Sequence, residues 1–430
     1  MMGSMMRRAM LYPNPVGVYG SFNAVRFLRE ATQNGIDIAM MGDSNTGYNA
    51  PTDGGYVWGL SYGLDTALPN TCYGTPIYNL MISGNHAGYK SSMSGTSLPV
   101  GGYVSGKAST DAGPTAITPF FDRGTGNWSE SGGATSGTYA DYPYLASGNQ
   151  TENVNRGMSI NADHPIGVSN ELRYRVLRGQ FSGAGSHRYR MRLGGSPFTA
   201  LATSSAISAA GSTKLIADEI TAAAATRTTA IESFWSVQSA ASVLNTGPIT
   251  PLLQSMYTPR KGWSVDSLYF FGGNTLTAIA SDVSAASSGF VQTMVSEYYY
   301  RQIAAGGDGR LLVWIQGGAN QSDWLSNPGD WINQWNSIMT TIRTAWSTLA
   351  LPAEKLAFVA MVTHDISGYD FASRRQALID LTATRSDLTV VNIPEIIPYS
   401  SYSSYASGAH LSKAGYEAIG SAIVSRMLAV

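Results

Sequence analysis

Cysteine is nearly absent from this 430-residue sequence, because Cys72 is the only one. A single cysteine excludes an internal disulfide framework and any zinc site built from cysteine ligands. Charged residues are also scarce, at 13% of the chain, and the formal net charge is only −1. Since proteins bind nucleic acid through an extended basic surface, this charge balance argues against a nucleic-acid partner.

Long apolar runs are missing as well. No segment approaches the roughly 18 consecutive apolar residues of a membrane-spanning helix, so no membrane association is expected. The amino-terminal segment has a basic pair, Arg7 and Arg8, but no apolar run of signal-peptide length follows it. With so little charge, the polar surface must consist largely of Ser, Thr, Asn and Gly, as in many extracellular and virion proteins. If the protein acts outside a cell, we expect it to arrive there as part of a particle such as a virion.

Aromatic residues, by contrast, are plentiful, with 9 Trp, 24 Tyr and 12 Phe. Residues 36–42 predict a buried strand, 56–68 a helix and 76–83 a further strand. After residue 263, strand and helix patterns alternate in the order 265–271, 288–304, 311–316, 330–349, 355–362, 372–385, 388–393 and 412–428. Strands that alternate with helices predict a mostly parallel sheet covered on both faces. Ligand sites in such sheets lie beyond the carboxyl ends of the strands.

The middle of the chain has a different texture, dominated by Gly, Ser, Thr and Ala. Segments such as 172–181, 187–193 and 230–237 alternate apolar and polar residues, which predicts short antiparallel strands. We therefore expect an inserted β-rich domain, with a jelly-roll-like sandwich as one form, although the Ala-rich residues 206–225 could instead be helical. The predicted division is a first α/β part at 1–90, the insertion at 91–255 and a second α/β part at 256–430.

Three short motifs follow predicted strands. Gly42-Asp43-Ser44-Asn45 comes directly after the first strand, Gly318-Ala319-Asn320 ends another, and Gly408-Ala409-His410 precedes the final helix. A serine at a strand tip is a candidate nucleophile, and a histidine that reaches it is a candidate general base. An asparagine amide aimed at the same point can stabilise an oxyanion. Each motif alone is also typical of an ordinary surface loop, so only their combination carries weight.

Together the motifs resemble those of the SGNH (GDSL-like) hydrolase superfamily, and residues 313–324, VWIQGGANQSDW, are similar to its carbohydrate acetylesterases. The resemblance implies an α/β protein: a three-layer α/β/α, flavodoxin-like domain with a β-rich insertion. It implies a serine esterase that acts through an acyl-enzyme, with Ser44 as nucleophile and His410 as general base. Asn320 and the Ser44 amide would bind the oxyanion. The expected substrate is a small acyl ester, such as an acetyl group on a carbohydrate, and no cofactor or metal is expected.

Two parts of the resemblance stay open. Family members also use a glycine after the second strand as an oxyanion donor, and both Gly273 and Gly84 are candidates. Gly273 is preferred because only 47 residues with one predicted helix separate it from Asn320, which suits a parallel crossover.

The catalytic acid is the second open part. Family members carry an aspartate three residues before the histidine, where this chain has Ser407. A serine cannot supply the charge that stabilises an imidazolium. The alternatives are a Ser–His dyad steadied by Ser407 or a backbone carbonyl, an acid from Asp323 or Asp365, and a degenerate site.

A different class of function also fits the sequence. The chain could be a non-catalytic structural or glycan-binding protein on the same scaffold, for example a phage tail or fibre component, with self-association or virion assembly as its partners. Trp324, Trp331, Trp335 and residues 298–300 could stack on sugar rings. Their spacing is more typical of the buried face of a helix.

Overall fold

The computed structural model describes residues 15–43, 45–46, 55–75, 77–79, 117–122, 126–131, 144–150, 154–160, 166, 171–181, 186–193, 199–203, 207–208, 216–223, 231–238, 248–270, 275–285, 288–366 and 369–429. Its helices are α1 (Asn23–Arg29), α2 (Ala31–Asn34), α3 (Gly55–Ala67), α4 (Leu276–Ala285), α5 (Ser288–Ala304), α6 (Pro328–Thr348), α7 (Ala372–Leu381), α8 (Ile393–Ile396) and α9 (Lys413–Leu428).

The strands are numbered in the same way along the chain. They are β1 (Val18–Gly20), β2 (Ile36–Gly42), β3 (Tyr78–Asn79), β4 (Ile117–Asp122), β5 (Gly126–Ser131), β6 (Tyr144–Gln150), β7 (Val154–Ile160), β8 (Glu171–Phe181), β9 (Ser186–Leu193), β10 (Thr199–Thr203), β11 (Ile207–Ser208), β12 (Ile216–Ala223), β13 (Ile231–Gln238), β14 (Pro248–Tyr257), β15 (Trp263–Phe270), β16 (Leu311–Gly317), β17 (Leu356–Val362), β18 (Leu388–Val391), β19 (Ala406–Ser407) and β20 (His410–Leu411).

A six-stranded, mostly parallel sheet organises the first and last parts of the chain. Its strand order is β1-β18-β17-β16-β2-β15, and only β1 at the edge runs antiparallel to its neighbour. Every residue of β2, β16 and β17 is buried. Such continuous apolar strands need cover on both faces, because any exposed face would place apolar side chains in water.

Helices supply that cover from both sides. Along β16, Val313 and Ile315 belong to a core shared with α4, α5, α6 and α7, whereas Leu312 and Trp314 belong to a core shared with α1, α3 and α9. Side chains of a strand alternate between faces, so one strand contributes to both cores. Among the described residues, no helix is both long and apolar enough to cross a membrane.

The described strands from the middle of the chain form two antiparallel sheets. One has the order β10-β9-β13-β7-β4, with β11 paired to β9, and the other has the order β12-β8-β14-β6-β5, with β3 paired to β14. On β8, Leu172, Tyr174 and Val176 are buried while Arg173 and Arg175 between them are partly exposed. This alternation gives β8 one apolar face and one charged face.

The charged face of β8 lies against the parallel-sheet part of the molecule. Arg175 makes a bidentate ion pair with Glu297 of α5, at 2.6 Å from Nε and 3.1 Å from Nη2. Nearby, the fully buried Arg301 donates to a carboxylate oxygen of Asp37 and, over 2.6 Å, to the carbonyl of Thr75. Charged groups buried this deeply are stable only when paired, so these bonds fix the position of Thr75 beside β15.

The mixed α/β architecture with a parallel-containing sheet and separate antiparallel sheets confirms the coarse expectation from the sequence. Two details differ. Between β15 and β16 the chain forms two helices, α4 and α5, where one was predicted. The Ser- and Ala-rich sequence of α4 hid a helical stripe of Leu276, Ile279, Ala280 and Val283, all buried.

The second difference concerns the segment 76–83, predicted as a further strand. Its described part, β3, pairs with β14 in an antiparallel sheet, and β15 is the strand next to β2 in the parallel sheet. The Ala-rich segment 206–225, for which a helix was the alternative, contains the strands β11 and β12. The division of the chain at 90 and 255 stays a prediction.

Candidate functional site

The candidate site lies at the carboxyl edge of the parallel sheet. Residues 43–46 follow β2, residues 318–327 follow β16, and residues 397–412 connect α8 to α9. Strands of a parallel sheet end at a common edge, so these three loops are neighbours although they are distant in sequence. Ser44 itself lies outside the described residues, as do Gly84 and Gly273.

The turn after β2 is held tightly against β16. A Cβ atom at Gly42 would lie 2.0 Å from Thr46 Oγ1 and 2.4 Å from the carbonyl oxygen of Gln316. Only glycine permits this approach. Thr46 Oγ1 also donates to Oε1 of Gln316 over 2.5 Å, which joins the first loop to the strand that carries the second.

Asp43 braces the turn from inside. Its side chain is fully buried, and its Oδ1 accepts the backbone N–H of Asn45 over 2.9 Å. Burial raises the pKa of Asp43 to about 6, against the opposing effect of the backbone amides of Asn45 and Ala319. The carboxylate is therefore largely ionised at neutral pH, where it holds the backbone amide of Asn45, the residue after position 44.

One tyrosine connects this turn to the loop that carries His410. The Tyr416 hydroxyl donates to Oδ1 of the buried Asn45 over 2.6 Å, and it accepts a long bond of 3.5 Å from the amide of Leu411. Asn45 follows Ser44 in the chain, and Leu411 follows His410. The neighbours of the predicted nucleophile and of the predicted base thus bond to the same hydroxyl group.

A buried histidine lies beneath this bridge. The amide of His364 donates to the hydroxyl oxygen of Tyr56 over 2.8 Å, and the same oxygen lies 2.9 Å from Nδ1 of His364. The Tyr56 hydroxyl therefore bonds to both the backbone and the ring of His364. The rings of Tyr402 and Tyr416 lie 6.0 and 6.1 Å from the imidazole.

The environment of His364 keeps it uncharged. Burial lowers its pKa to about 3, and electrostatic interactions with His410 and Arg375 contribute in the same direction. His364 is therefore neutral at physiological pH.

Asn320 lies on a loop whose backbone is held by an arginine. Gly318 has a φ of 101°, a conformation that side chains other than glycine rarely adopt. Arg374 of α7, only 5% exposed, donates from Nη1 to the carbonyl of Gly318 and from Nη2 to the carbonyl of Gln321 over 2.7 Å. These two bonds span Asn320, which is partly exposed, and fix the loop that presents it.

The candidate acids have other contacts. Asp323 is exposed and accepts from Nε2 of Gln321 over 2.6 Å. Asp365 is paired with Arg375. The backbone of Ser407 pairs with that of His410 in the β19–β20 hairpin. The structure thus brings the described His410, Asn320 and the neighbours of Ser44 to one edge, while the two aspartates bond elsewhere.

Sequence reasoning missed Arg374 and the Tyr56–His364 pair. A signal for Arg374 was present: Arg374 and Arg375 stand in the first turn of α7, where the helix dipole disfavours cations. Two arginines at such a position indicate carbonyl or carboxylate partners outside the helix. His364 directly follows the buried strand β17, as the other site residues follow theirs, but no sequence pattern distinguishes it from a surface turn.

Metal ligands are not gathered anywhere in the part of the chain that the structure describes. No group of three or more His, Cys, Asp or Glu side chains there is arranged to hold an ion. The Trp side chains considered for sugar stacking are core residues, with Trp324, Trp331 and Trp335 at most 4% exposed.

Comparisons with known proteins give only distant likenesses. No protein-family model matches the chain, and no curated protein matches it. Protein YXIM from Bacillus subtilis is similar in structure, with 10% identity, 82% of this chain and 97% of that chain covered, and a TM-score of 0.28. A family two carbohydrate esterase from Clostridium thermocellum, in complex with cellohexaose, has 10% identity, coverage of 66% and 93%, and a TM-score of 0.26.

A third similar structure is a xylan-binding domain of Paenibacillus barcinonensis Xyn10C, with 9% identity, coverage of 42% of this chain and 92% of that chain, and a TM-score of 0.23. Two of these three neighbours, the esterase and the xylan-binding domain, act on or bind carbohydrate. At such TM-scores they assign neither a family nor a function to this chain.

Proposed function

We propose that the protein is a serine esterase that hydrolyses small acyl esters, with acetyl esters of carbohydrate as substrates. The observation that carries the proposal is the Tyr416 bridge. Consecutive Cα atoms are about 3.8 Å apart, so Ser44 and His410 each lie one residue from a group bonded to the same hydroxyl. That spacing suits a nucleophile and a base that must come within hydrogen-bond reach.

The reaction follows from these positions. His410 accepts the proton of the Ser44 hydroxyl as Oγ attacks the ester carbonyl, and a tetrahedral oxyanion forms. His410 then returns the proton to the departing alcohol, which leaves an acyl group on Ser44. A water molecule, deprotonated by His410, attacks the acyl-enzyme and releases the carboxylic acid and the free serine.

The oxyanion is assigned to three donors. Asn320 supplies its side-chain amide from the loop that Arg374 holds, and the Ser44 backbone supplies an N–H. Gly273 supplies the third donor, in preference to Gly84, because β15 lies next to β2 in the parallel sheet whereas β3 belongs to an antiparallel one. Preorganised donors of this kind are each worth roughly 10²–10³ in rate.

The position that carries the acid in the family has no carboxylate in this chain. Position 407 is a serine, and Asp323 and Asp365 bond to Gln321 and Arg375. We assign a Ser–His dyad in which the β19–β20 hairpin orients His410 through its backbone pairing with Ser407. A dyad stabilises the imidazolium less than a triad does, so modest turnover is expected.

The direct test is hydrolysis of p-nitrophenyl acetate and release of acetate from acetylated xylan. Ser44→Ala and His410→Ala are each expected to remove activity at unchanged folding, whereas Ser347→Ala, at an exposed serine in the last turn of α6, leaves it unchanged. Activity that survives in Ser44→Ala contradicts the proposal.

The serine at position 407 also favours a second candidate, a non-catalytic glycan-binding or structural protein on the same scaffold, such as a phage tail or fibre component. Absence of hydrolysis by the wild type, on both the small ester and the polymer, supports this alternative. If the wild type is inactive, hydrolysis gained by Ser407→Asp would show that the missing carboxylate is the cause.

A further inference from the structure

Exposed aromatic side chains cluster around the candidate site. Among the described residues, the large apolar side chains with substantial exposure include Tyr369 at 55%, Tyr399 at 41% and Tyr405 at 40%. Tyr369 lies in the loop after β17, and the other two lie in the loop between α8 and α9. All three are therefore on loops at the carboxyl edge of the sheet, the edge that also carries His410 and Asn320.

Two of these exposed rings rest on buried rings. Tyr369 stacks on Phe371, with centroids 5.7 Å apart and an interplanar angle of 8°, and Phe371 is only 1% exposed. Tyr399 meets the edge of the fully buried Tyr402, with centroids 5.3 Å apart. An exposed ring held by a buried ring keeps one orientation, so little conformational entropy is lost when a ligand covers it.

The two loops that carry the tyrosines also contact each other. The amide of Asp365 donates to the hydroxyl of Tyr402 over 3.3 Å, which joins the loop after β17 to the loop before α9. Tyr405 packs at the start of α9, where its Cβ lies 2.9 Å from the position that a Cβ of Gly415 would occupy. The exposed rings thus belong to one connected rim beside the site.

The composition of the rim indicates the chemistry of its ligand. Residues 399–405 read Tyr-Ser-Ser-Tyr-Ser-Ser-Tyr, and residues 397–412 contain no Lys, Arg, Asp or Glu. On the other loop, Asp365 is paired with Arg375, and Asp370 accepts the amide of Ala372 over 3.1 Å. Tyrosine provides rigid amphipathic contact area, and serine provides adaptable hydrogen bonds. A surface of this kind suits an uncharged ligand with apolar faces and many hydroxyl groups, which describes the rings of a neutral polysaccharide.

We propose that Tyr369, Tyr399 and Tyr405 form a binding platform for a neutral polysaccharide chain, which they hold across the mouth of the site. The inference rests on the proposed function for the identity of the neighbouring chemistry, but it concerns binding and not the reaction. The platform holds sugar units on either side of the acylated one. The buried Trp residues 324, 331 and 335 take no part in it.

The test measures binding in the Ser44→Ala protein, so that no substrate is consumed. Affinity gel electrophoresis is run with soluble xylan, galactomannan and β-glucan, and with polygalacturonate as an anionic comparison. At least one neutral polymer is expected to retard the protein, and polygalacturonate is not. Tyr369→Ala, Tyr399→Ala and Tyr405→Ala are each expected to weaken retardation about 3- to 10-fold, as the loss of one stacked ring implies.

Tyr300 provides the matched control. It is 52% exposed on α5, and its ring meets that of Tyr299 at 5.3 Å, so it resembles the rim tyrosines in exposure and support but does not lie on these loops. Tyr300→Ala should bind like the parent. Tyr369→Phe keeps the ring and should retain most of the binding, whereas a structural defect would not be rescued in this way.

The outcomes separate this inference from the proposed function. Retardation by no neutral polymer, or equal retardation of the rim variants and Tyr300→Ala, overturns the platform even if the wild type hydrolyses p-nitrophenyl acetate. Tyrosine-dependent binding by a protein that hydrolyses nothing overturns the esterase and leaves the platform standing. If both hold, the rim variants lower kcat/KM on acetylated xylan by a larger factor than kcat/KM on p-nitrophenyl acetate, which has no sugar ring to cover the rim.

Discussion

Arg374→Ala tests whether the loop that carries Asn320 is held by α7. The substitution removes two donors from the carbonyls of Gly318 and Gln321, on either side of Asn320. A buried carbonyl that loses its donor costs about 1–3 kcal/mol, so the expected loss of folding stability is about 2–6 kcal/mol for the pair. Misplacing a catalytic group by about 1 Å can cost 10²-fold in rate, so we expect kcat to fall by about that factor.

The same protein offers a control for the loss of stability. Arg343 donates to the carbonyls of Ala353 over 2.9 Å and Leu356 over 3.0 Å, at the amino end of β17 and therefore at the opposite edge of the sheet. Arg343→Ala should destabilise the fold by a similar amount. Because it lies far from the carboxyl edge, it should leave kcat on p-nitrophenyl acetate nearly unchanged.

The two variants are compared by urea unfolding and by initial rates on p-nitrophenyl acetate at a temperature where both are folded. Arg374→Lys, which retains one donor, should be intermediate in kcat. Equal kcat values for Arg374→Ala and Arg343→Ala would refute the reasoning, because the effect of Arg374 would then be stability alone.

Three other substitutions have expected results. Tyr416→Phe removes the hydroxyl that joins Asn45 to Leu411, and it should lower kcat about 10-fold while costing about 1–2 kcal/mol of stability, measured by rates and urea unfolding. Arg301→Met leaves the fully buried Asp37 without its partner, and should cost about 3–5 kcal/mol in urea unfolding. His364→Gln should reduce the sensitivity of the fold to acid, as followed by unfolding at several pH values.

The sign of the pH effect follows from the depressed pKa of His364. Its folded value is about 3, whereas that of an unfolded histidine is about 6.5, so the contribution of the neutral side chain is complete above pH 6.5 and is lost as the pH falls towards 3. By pH 4 the loss is about 3 kcal/mol relative to neutral pH.

Parallel stability curves for the wild type and His364→Gln between pH 7 and pH 4 would contradict the burial of a neutral imidazole. An unchanged kcat in Tyr416→Phe would show that the Tyr416 hydroxyl does not position the groups of the site. Arg301→Met with wild-type stability would show that the carboxylate of Asp37 needs no counter-charge.

Much of the fold was predictable because the parallel strands are continuous apolar runs. The segments 36–42, 311–316 and 355–362 have no plausible place except the centre of a covered sheet, and β2, β16 and β17 match them closely. The helix α4 was not predicted because its buried apolar residues are spaced among small residues that are also common in loops. The pairing of β3 with β14 was not predicted because the pattern of one strand does not specify which strand it pairs with.

The candidate site was predictable only at the level of its motifs. Each motif followed a strand, and parallel topology then placed the motifs at one edge. The contacts that connect them depend on side chains such as Tyr416 and Arg374, which lie on helices and have ordinary core or surface patterns in sequence. The sequence also does not distinguish an exposed aromatic residue such as Tyr369 from a buried one such as Trp335. Only the packing in the folded chain separates them.

Covalent labelling of Ser44 tests the central claim most directly. The wild type, Ser44→Ala and His410→Ala are each treated with a fluorophosphonate, which reacts with serines activated by a base, and the adduct is located by peptide mass spectrometry. The account predicts one adduct, on Ser44, that is absent from Ser44→Ala and strongly reduced in His410→Ala. No adduct in the wild type, or an adduct on another serine, would contradict it.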